Sequence, residues 1–185
     1  VGITTNAAGV VQTWQDRSGN AHHATWDSSA WNSGTATLVA NQLMSLPAVQ
    51  MRGAWFDIAG AFFAKEQYVV VRSPNATGID TGAFLGRKSY DFLTVRASSY
   101  SMTRGGTGFW DMPASASRNG ISTFNLAPIT NYMVLKITVD DNASPANLAA
   151  YPYCQIERIE NEYGMDWDVA EIIGNWTGIP VARML

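Results

Sequence analysis

Apolar and polar residues alternate along much of this chain with the two-residue period of a β-strand. The clearest run spans 132–139, where the odd-numbered residues are all apolar and the even-numbered ones include Lys136 and Thr138. Shorter runs, rich in β-branched and aromatic residues, occupy 68–72, 83–86, 92–96, 100–104, 154–159 and 169–173. The pattern predicts an all-β protein.

Turn-forming residues separate these runs at short intervals, and no well-capped helix lies between them. This arrangement favours a two-sheet antiparallel β-sandwich over βαβ units. The turn at 140–145 should lead from the strand 132–139 into its pairing partner, and 41–46 could form one helical turn. With 185 residues and 46% hydrophobic content, we expect one domain over 1–185. Because the chain starts at Val1 and stops at Leu185 in an apolar run, we expect it to be part of a longer protein.

The segment 14–24 joins an apolar anchor, Trp14, to a tight turn. We expect the Asp16 carboxylate to accept bonds from backbone N–H groups ahead of it, Gly19 to supply a positive φ, and Asn20 to tolerate the left-handed region. The pattern of the segment, W-x-D-x-S-G-N-x-x-H-A, resembles the early strand and turn of concanavalin A-like lectin/glucanase domains of the laminin G and pentraxin type.

Later segments resemble further strands of that family, and they occur in the family's order. These segments are 46–53, 55–58, 68–72, 132–140 and 167–173. The resemblance implies a jelly-roll sandwich of the kind found in phage virion proteins and bacterial surface proteins. The chain departs from the family in having a shorter first strand and in lacking an acid-rich helical tail after 173.

Charge and cysteine content exclude several classes of function. A formal net charge of −3 and a pI near 5.2 provide no basic surface for nucleic acid. No apolar stretch is long enough to cross a bilayer, so we expect no membrane insertion. The single Cys154 excludes an internal disulfide, and it has no cysteine or histidine at the spacing of a zinc site.

The residues with catalytic chemistry do not form a recognisable active site. His22 and His23 are the only histidines, they are adjacent, and no G-x-S-x-G motif provides a nucleophile. The segment 166–171, D-W-D-V-A-E, loosely resembles the E-x-D-x-x-E strand of sandwich glucanases. However, Asp168 and Glu171 fall on opposite faces of a regular strand, and only a bulge would bring them together. We therefore predict that the protein is not an enzyme.

Acidic residues that could bind calcium occur in two places. One group is 140–142, and the other consists of Glu157, Glu160, Glu162 and Asp166. Neither has the ligand spacing of an EF-hand. We therefore predict no cofactor and keep calcium as an alternative.

Tryptophan is abundant, with seven residues in the chain. Three of them adjoin predicted strands and are assigned to the core: Trp14, Trp55 and Trp167. Others lie among Gly, Ser and Asn residues, where an indole can stack on a sugar ring while polar groups bind the sugar hydroxyls. The predicted ligand-binding residues are Trp26, Trp31, Asn32, Arg104, Trp110 and Asp111. Alternatively, these tryptophans pin loops to the sandwich or lie at a subunit interface.

The resemblance implies a non-catalytic carbohydrate-binding or adhesion module. It would belong to a phage tail fibre, tail tip or capsid decoration, or to a bacterial surface protein, and so lie on the virion or outside the cell. Its partners would be a cell-surface glycan or neighbouring virion subunits, within a homo-oligomer. A purely structural decoration domain and a degenerate glycoside hydrolase are the alternatives, because a fold alone does not fix a function.

Overall fold

The described part of the chain is built from β-strands and contains no helix. The computed structural model describes residues 2–28, 34–58, 66–74, 86–87, 94–96, 101–103, 113–123, 125, 130–139, 154–156, 166–175 and 180–184. The strands are β1 (Ile3–Thr5), β2 (Val11–Trp14), β3 (Ala24–Trp26), β4 (Thr35–Leu43), β5 (Leu46–Arg52), β6 (Phe56–Ile58), β7 (Glu66–Arg72), β8 (Gly86–Arg87), β9 (Thr94–Arg96), β10 (Ser101–Thr103), β11 (Pro113–Arg118), β12 (Ile121–Ser122), β13 (Met133–Val139), β14 (Cys154–Ile156), β15 (Asp166–Asn175) and β16 (Pro180–Met184).

The described strands pair into a larger and a smaller antiparallel sheet. The larger sheet has eight strands, in the order β12-β11-β13-β7-β15-β5-β4, with β16 also paired to β15. The smaller sheet has six strands, in the order β1-β2-β3-β6-β14-β8. Strands β9 and β10 form a separate antiparallel hairpin, in agreement with the predicted strands at 92–96 and 100–104.

One buried apolar cluster joins the two sheets, because residues on the inner face of each contribute to it. The smaller sheet contributes Val11, Trp14, Ala24, Phe56 and Ile58. The larger sheet contributes Met51, Val69, Val71, Leu135, Ile137, Trp167 and Val169, among others. The three predicted core tryptophans, Trp14, Trp55 and Trp167, are at most 2% exposed. The predicted two-sheet antiparallel β-sandwich is confirmed.

Strand β13 has the predicted two-faced pattern but not the predicted partner. Met133, Leu135 and Ile137 are buried, whereas Val134 is exposed. The strand pairs with β7 and with β11, both of which precede it in the chain. The prediction that its partner follows the turn at 140–145 is wrong, because these two strands fill both of its edges.

The segment 41–46 forms a hairpin turn and not the helical turn that the sequence allowed. Strand β4 pairs with β5 as far as Leu43 opposite Leu46. Between these residues, Met44 and Ser45 have φ angles of 46° and 68°. Positive φ at both central positions is typical of a type I′ turn, whose twist matches that of the strands it joins. The helical prediction is therefore wrong.

The turn after Trp14 has the predicted organisation around Asp16. This aspartate is 7% exposed and accepts hydrogen bonds from the backbone N–H of Ser18 at 2.8 Å and of His22 at 3.1 Å. Its own backbone N–H donates to Nδ1 of His23 at 3.1 Å. The prediction that Asp16 closes the turn through backbone donors is confirmed.

Two residues of this turn lie in the left-handed region of backbone space. Gly19 has a φ of 92°, as predicted. The second is Ala21, with a φ of 59°, and not Asn20. The expectation for Asn20 is wrong, because the chain reverses one residue later to bring the His22 N–H to Asp16.

Candidate binding site on the larger sheet

Three neighbouring strands of the larger sheet carry charged residues on the face that points away from the core. In β7, Val69 and Val71 are buried in the core, so the alternation of the strand places Arg72 on the opposite, outer face. The same alternation places Arg52 of β5 and Asp168 of β15 on this face. Because β15 lies between β5 and β7, one carboxylate lies between two guanidinium groups.

Asp168 is the centre of this group. Its Oδ1 accepts a hydrogen bond from Nη2 of Arg52 at 2.6 Å, and its Oδ2 accepts one from Nε of Arg72 at 2.8 Å. The Asp168 side chain is 1% exposed, while those of Arg52 and Arg72 are 32% and 31% exposed. A buried aspartate therefore fixes two guanidinium groups that remain open to solvent. We call these three residues the Arg–Asp–Arg cluster.

Each arginine has further contacts, and these differ in kind. Nη1 of Arg52 donates to the backbone oxygens of Met51 at 2.7 Å and Trp167 at 3.1 Å. Nη2 of Arg72 donates to the side-chain oxygen Oε1 of Gln42 at 3.0 Å. Arg52 is thus bonded to the sheet backbone, whereas Arg72 is bonded to a side-chain amide.

Tyr132 lies beside the cluster, immediately before β13. The guanidinium carbon of Arg72 is 4.8 Å from the centre of its ring, which is a cation–π distance. The hydroxyl of Tyr132 is buried and has no hydrogen-bond partner among the described residues. Burial raises the pKa of Tyr132, Arg72 opposes this effect, and Asp168 adds to it. The buried Tyr132 hydroxyl is therefore protonated at neutral pH and is able to donate a hydrogen bond.

Strand β15 contains the bulge that the glucanase comparison required. Asp168 lies opposite Arg72 and Glu171 lies opposite Val70, with a register shift between Val169 and Glu171. The additional residue turns Glu171 to the same face as Asp168. The expectation that these two carboxylates fall on opposite faces is wrong, because it assumed a regular strand.

A second ion pair lies on the same face of the sheet. Nζ of Lys136 is 2.8 Å from Oε1 of Glu66, with side chains 40% and 28% exposed. The hydroxyl of Tyr68 donates to Oε2 of Glu66 at 3.1 Å. Hydrogen bonding to Glu66, and then to Tyr68, raises the pKa of Lys136. Here the carboxylate is partly open to water, in contrast to Asp168.

Among the ligand-binding residues predicted from the sequence, Trp26 lies in the described part of the chain. It is half-buried in β3 and packs edge-on against Phe56, with ring centres 5.8 Å apart. It thus borders the core from the inner face of the smaller sheet. The others lie outside the described residues, and their role stays a prediction: Trp31, Asn32, Arg104, Trp110 and Asp111.

Four residues of the site were not predicted: Arg52, Arg72, Gln42 and Tyr132. A signal was present, since each arginine ends an apolar strand in a position that alternates with core residues. What connects them to Asp168 is strand pairing across 116 and 96 residues of chain. No short-range pattern reports such a pairing.

Nothing in the described residues tests the calcium alternative directly. No group of three or more His, Cys, Asp or Glu side chains among them could hold a metal ion. Of the predicted ligands, Asp166 is half-buried at the start of β15. The segment 140–142 and Glu157, Glu160 and Glu162 lie outside the described residues. Calcium binding therefore stays a prediction.

Comparison with models of protein families, with curated proteins and with solved structures gave no match. The resemblance to concanavalin A-like domains therefore stays a prediction from the sequence. Within the described residues, no helix has the length and hydropathy needed to span a membrane.

Proposed function

We propose that this chain is a non-catalytic carbohydrate-binding module of a phage virion or bacterial surface protein, with the outer face of the larger sheet as its ligand-binding face. The observation that carries the proposal is the Arg–Asp–Arg cluster, in which a buried carboxylate fixes two partly exposed guanidinium groups. Binding sites commonly use a few polar groups, held on rigid elements, to orient a ligand.

The groups around the cluster suit a sugar. Guanidinium N–H groups donate to hydroxyl and carboxylate oxygens, and the ring of Tyr132 adds an aromatic surface at the same place. Because β5, β7 and β15 fix the arginines, little conformational freedom is lost on binding. The virion or cell-surface context rests on the resemblance of 14–24 and the later strands.

The same geometry supports binding without catalysis. Glycoside hydrolysis needs two carboxyl groups roughly 5–9.5 Å apart that both reach the substrate. Both oxygens of Asp168 are engaged by arginines, and its side chain is 1% exposed. On the register of β15, Asp166 and Glu171 are four positions apart on this face, about 13 Å at Cα. We therefore place no acid–base pair here.

A glycan array tests the proposal with the protein and two matched variants. Arg72→Gln should weaken binding to the glycans that the native protein selects, by about tenfold, since a charged hydrogen-bonding group is lost. Arg17→Gln makes the same change at an exposed residue of the Asp16 turn and should leave binding unchanged. Failure of the native protein to bind any glycan, or equal effects of both variants, would contradict the proposal.

The predicted absence of catalysis has its own test. Release of reducing sugar from β-glucans should not exceed background for the native protein or for Glu171→Gln. Glu171 is the carboxylate that the bulge brings to the face of Asp168. Hydrolysis by the native protein that Glu171→Gln abolishes would establish the glycoside-hydrolase alternative.

The tryptophan-rich segments that the sequence predicts to bind a sugar extend the proposal beyond the described residues. If they form a second sugar-stacking surface, Trp31→Ala and Trp110→Ala should weaken glycan binding while leaving the melting temperature nearly unchanged. A buried tryptophan would instead cost ~3–5 kcal/mol of folding stability on truncation. Loss of stability without a binding defect would assign these residues to packing.

A structural role in assembly is the second candidate, and one observation favours it. The turn between β4 and β5 exposes Met44 to 91% and Leu46 to 59%. Exposed apolar side chains at one turn are suited to contact with a neighbouring subunit. Light scattering should then show an oligomer that dissociates on Met44→Ser. If the protein is a monomer that binds glycan, and Met44→Ser changes neither property, the carbohydrate-binding role would be the only one supported.

A further inference from the structure

The two arginines of the cluster differ in unused hydrogen-bonding capacity. A guanidinium group has five N–H donors. To described residues, Arg52 donates three hydrogen bonds, and Arg72 donates two. Neither N–H group of Nη1 of Arg72 donates to an acceptor in the described part of the chain. The capacity to bind a further acceptor is therefore greater at Arg72.

Carboxylates lie near both arginines of the cluster. Asp168 is shared by both arginines, and Asp166 lies opposite Arg52 where β15 pairs with β5. Glu171 lies opposite Val70 on the same face, and the described side chains in contact with Arg72 besides Asp168 are neutral, namely the amide of Gln42 and the phenol that lies under the guanidinium group. The Arg–Asp–Arg cluster thus holds two guanidinium groups and one carboxylate, and this excess of positive charge favours an anion beside it.

Gln42 occupies the place that such an anion would take. Its amide oxygen is a neutral acceptor, and hydrogen bonds from a guanidinium to a carboxylate are roughly twice as strong. The pairing of β4 with β5 is irregular between Val39 and Leu43, so the ladder does not fix this residue. Its Nε2 also donates to the backbone oxygen of Ala40 at 3.2 Å, so the Gln42 side chain has a hydrogen bond to a residue two positions earlier in the chain.

We propose that the carboxylate of an acidic sugar displaces the Gln42 amide from Arg72 and accepts a hydrogen bond from the Tyr132 hydroxyl. The inference rests on the proposed carbohydrate-binding function and specifies its ligand class. It also accounts for the buried Tyr132 hydroxyl that lacks a partner among the described residues. A buried donor of this kind is costly until a ligand satisfies it.

The decisive variant is Gln42→Glu, which keeps the shape of the side chain and supplies Arg72 with a built-in carboxylate. Isothermal titration should compare 3′-sialyllactose with lactose, and digalacturonate with its methyl ester. The native protein should prefer the acidic member of at least one pair by about tenfold or more. Gln42→Glu should abolish that preference and raise the melting temperature. Gln12→Glu, on β2 of the smaller sheet, makes the same change of charge and should alter neither.

Tyr132→Phe separates a ligand contact from a packing role. Removing the buried hydroxyl should weaken binding of the acidic sugar several-fold, by analogy with other single hydrogen bonds, and should raise the melting temperature. A hydroxyl that served only the fold would lower the melting temperature on removal. That result would overturn the role given to Tyr132.

The remaining outcomes distinguish a failure of this inference from a failure of the proposed function. Equal binding of acidic and neutral glycans, with loss on Arg72→Gln, would overturn the inference and retain the carbohydrate-binding function. Undiminished acid preference in Gln42→Glu would also overturn it. Acetate that competes as strongly as the acidic sugar would show a carboxylate site and refute the sugar. Absence of binding to every glycan would refute both proposals.

Discussion

Two buried aspartates in this protein obtain their hydrogen bonds in different ways. Asp16, 7% exposed, is bonded by the backbone N–H groups of Ser18 and His22, two and six residues along the chain. Asp168, with a side chain 1% exposed, is bonded by two guanidinium groups from residues 116 and 96 positions away. The first closes a local turn with neutral donors, and the second joins three strands with charged ones.

Asp16 therefore makes a contact within the fold, whereas Asp168 belongs to the proposed binding site. The backbone N–H groups of Ser18 and His22 both donate to Asp16 within the turn. The guanidinium groups around Asp168 carry more donors than one carboxylate accepts, so unused donors remain at the surface. Apolar packing can match or exceed a buried ion pair as a source of stability. This agrees with a binding role for the Arg–Asp–Arg cluster.

The largest effect is expected on removing the Asp168 carboxylate. Asp168→Ala leaves two adjacent guanidinium groups without their counter-ion and should destabilise the protein by about 3 kcal/mol. This lies at the low end for a buried pair because the arginine side chains are about a third exposed and can turn to water. Urea unfolding at fixed pH measures the change in the free energy of unfolding.

A triple variant tests whether the stability lost in Asp168→Ala comes from unpaired charge or from a requirement of the fold for the Arg–Asp–Arg cluster. Arg52→Met, Asp168→Leu and Arg72→Met together leave no unpaired charge and should recover most of the stability lost in Asp168→Ala. Glycan binding should be absent in this triple variant. A triple variant as unstable as Asp168→Ala would mean that the cluster serves the fold, as Asp16 does.

The two aspartates also show which contacts can be predicted from the sequence and which cannot. The Asp16 turn could be predicted because its donors and Gly19 lie within a few residues and follow from turn chemistry. Strands β7, β13 and β15 could be predicted because alternation is local, whereas β4 and β11 were not predicted. The bulge near Ala170 could not, since nothing in 168–171 departs from a regular strand pattern. The contact of Arg52 and Arg72 with one carboxylate could not be predicted either, because it depends on the order of the strands in the sheet.

Removing the Asp16 carboxylate should cost less than removing that of Asp168. Asp16→Ala leaves the Ser18 and His22 N–H groups without their acceptor, at ~1–3 kcal/mol. Asp16→Asn keeps one acceptor oxygen and should lose about half of that amount. Glycan binding by both folded variants should equal that of the native protein. A binding defect in Asp16→Asn with intact stability would break the distinction between the two regions.

Two substitutions within the turn should change stability in opposite directions. Gly19 has a φ of 92° with open space around its Cα, so Gly19→Ala costs only backbone strain, about 1 kcal/mol. Ala21 already adopts a φ of 59°, so Ala21→Gly should stabilise the protein by a few tenths to about 1 kcal/mol. Differential scanning calorimetry of both variants gives the sign. Changes of the same sign would show that the turn is not limited by backbone strain.

The smallest effect is expected at the exposed ion pair on the same sheet face as Asp168. Hydrogen bonding to Glu66 raises the pKa of Lys136 above its ordinary value of 10.5, so its stabilising contribution is complete below that pH. It is lost as the pH rises through the raised value. Because this pair is 40% and 28% exposed, Lys136→Met should cost no more than about 0.5 kcal/mol at neutral pH.

The stability difference between the native protein and Lys136→Met isolates this effect. It should stay constant from pH 8 to 10 and shrink at higher pH, while the raised pKa of Tyr132 acts on both proteins and cancels. Added salt at pH 8 should also shrink it, because exposed charges are screened, whereas the loss in Asp168→Ala should change less. Equal salt sensitivity at the two positions would show that water reaches Asp168 as readily as Glu66, and the contrast between a buried and an exposed carboxylate would then fail.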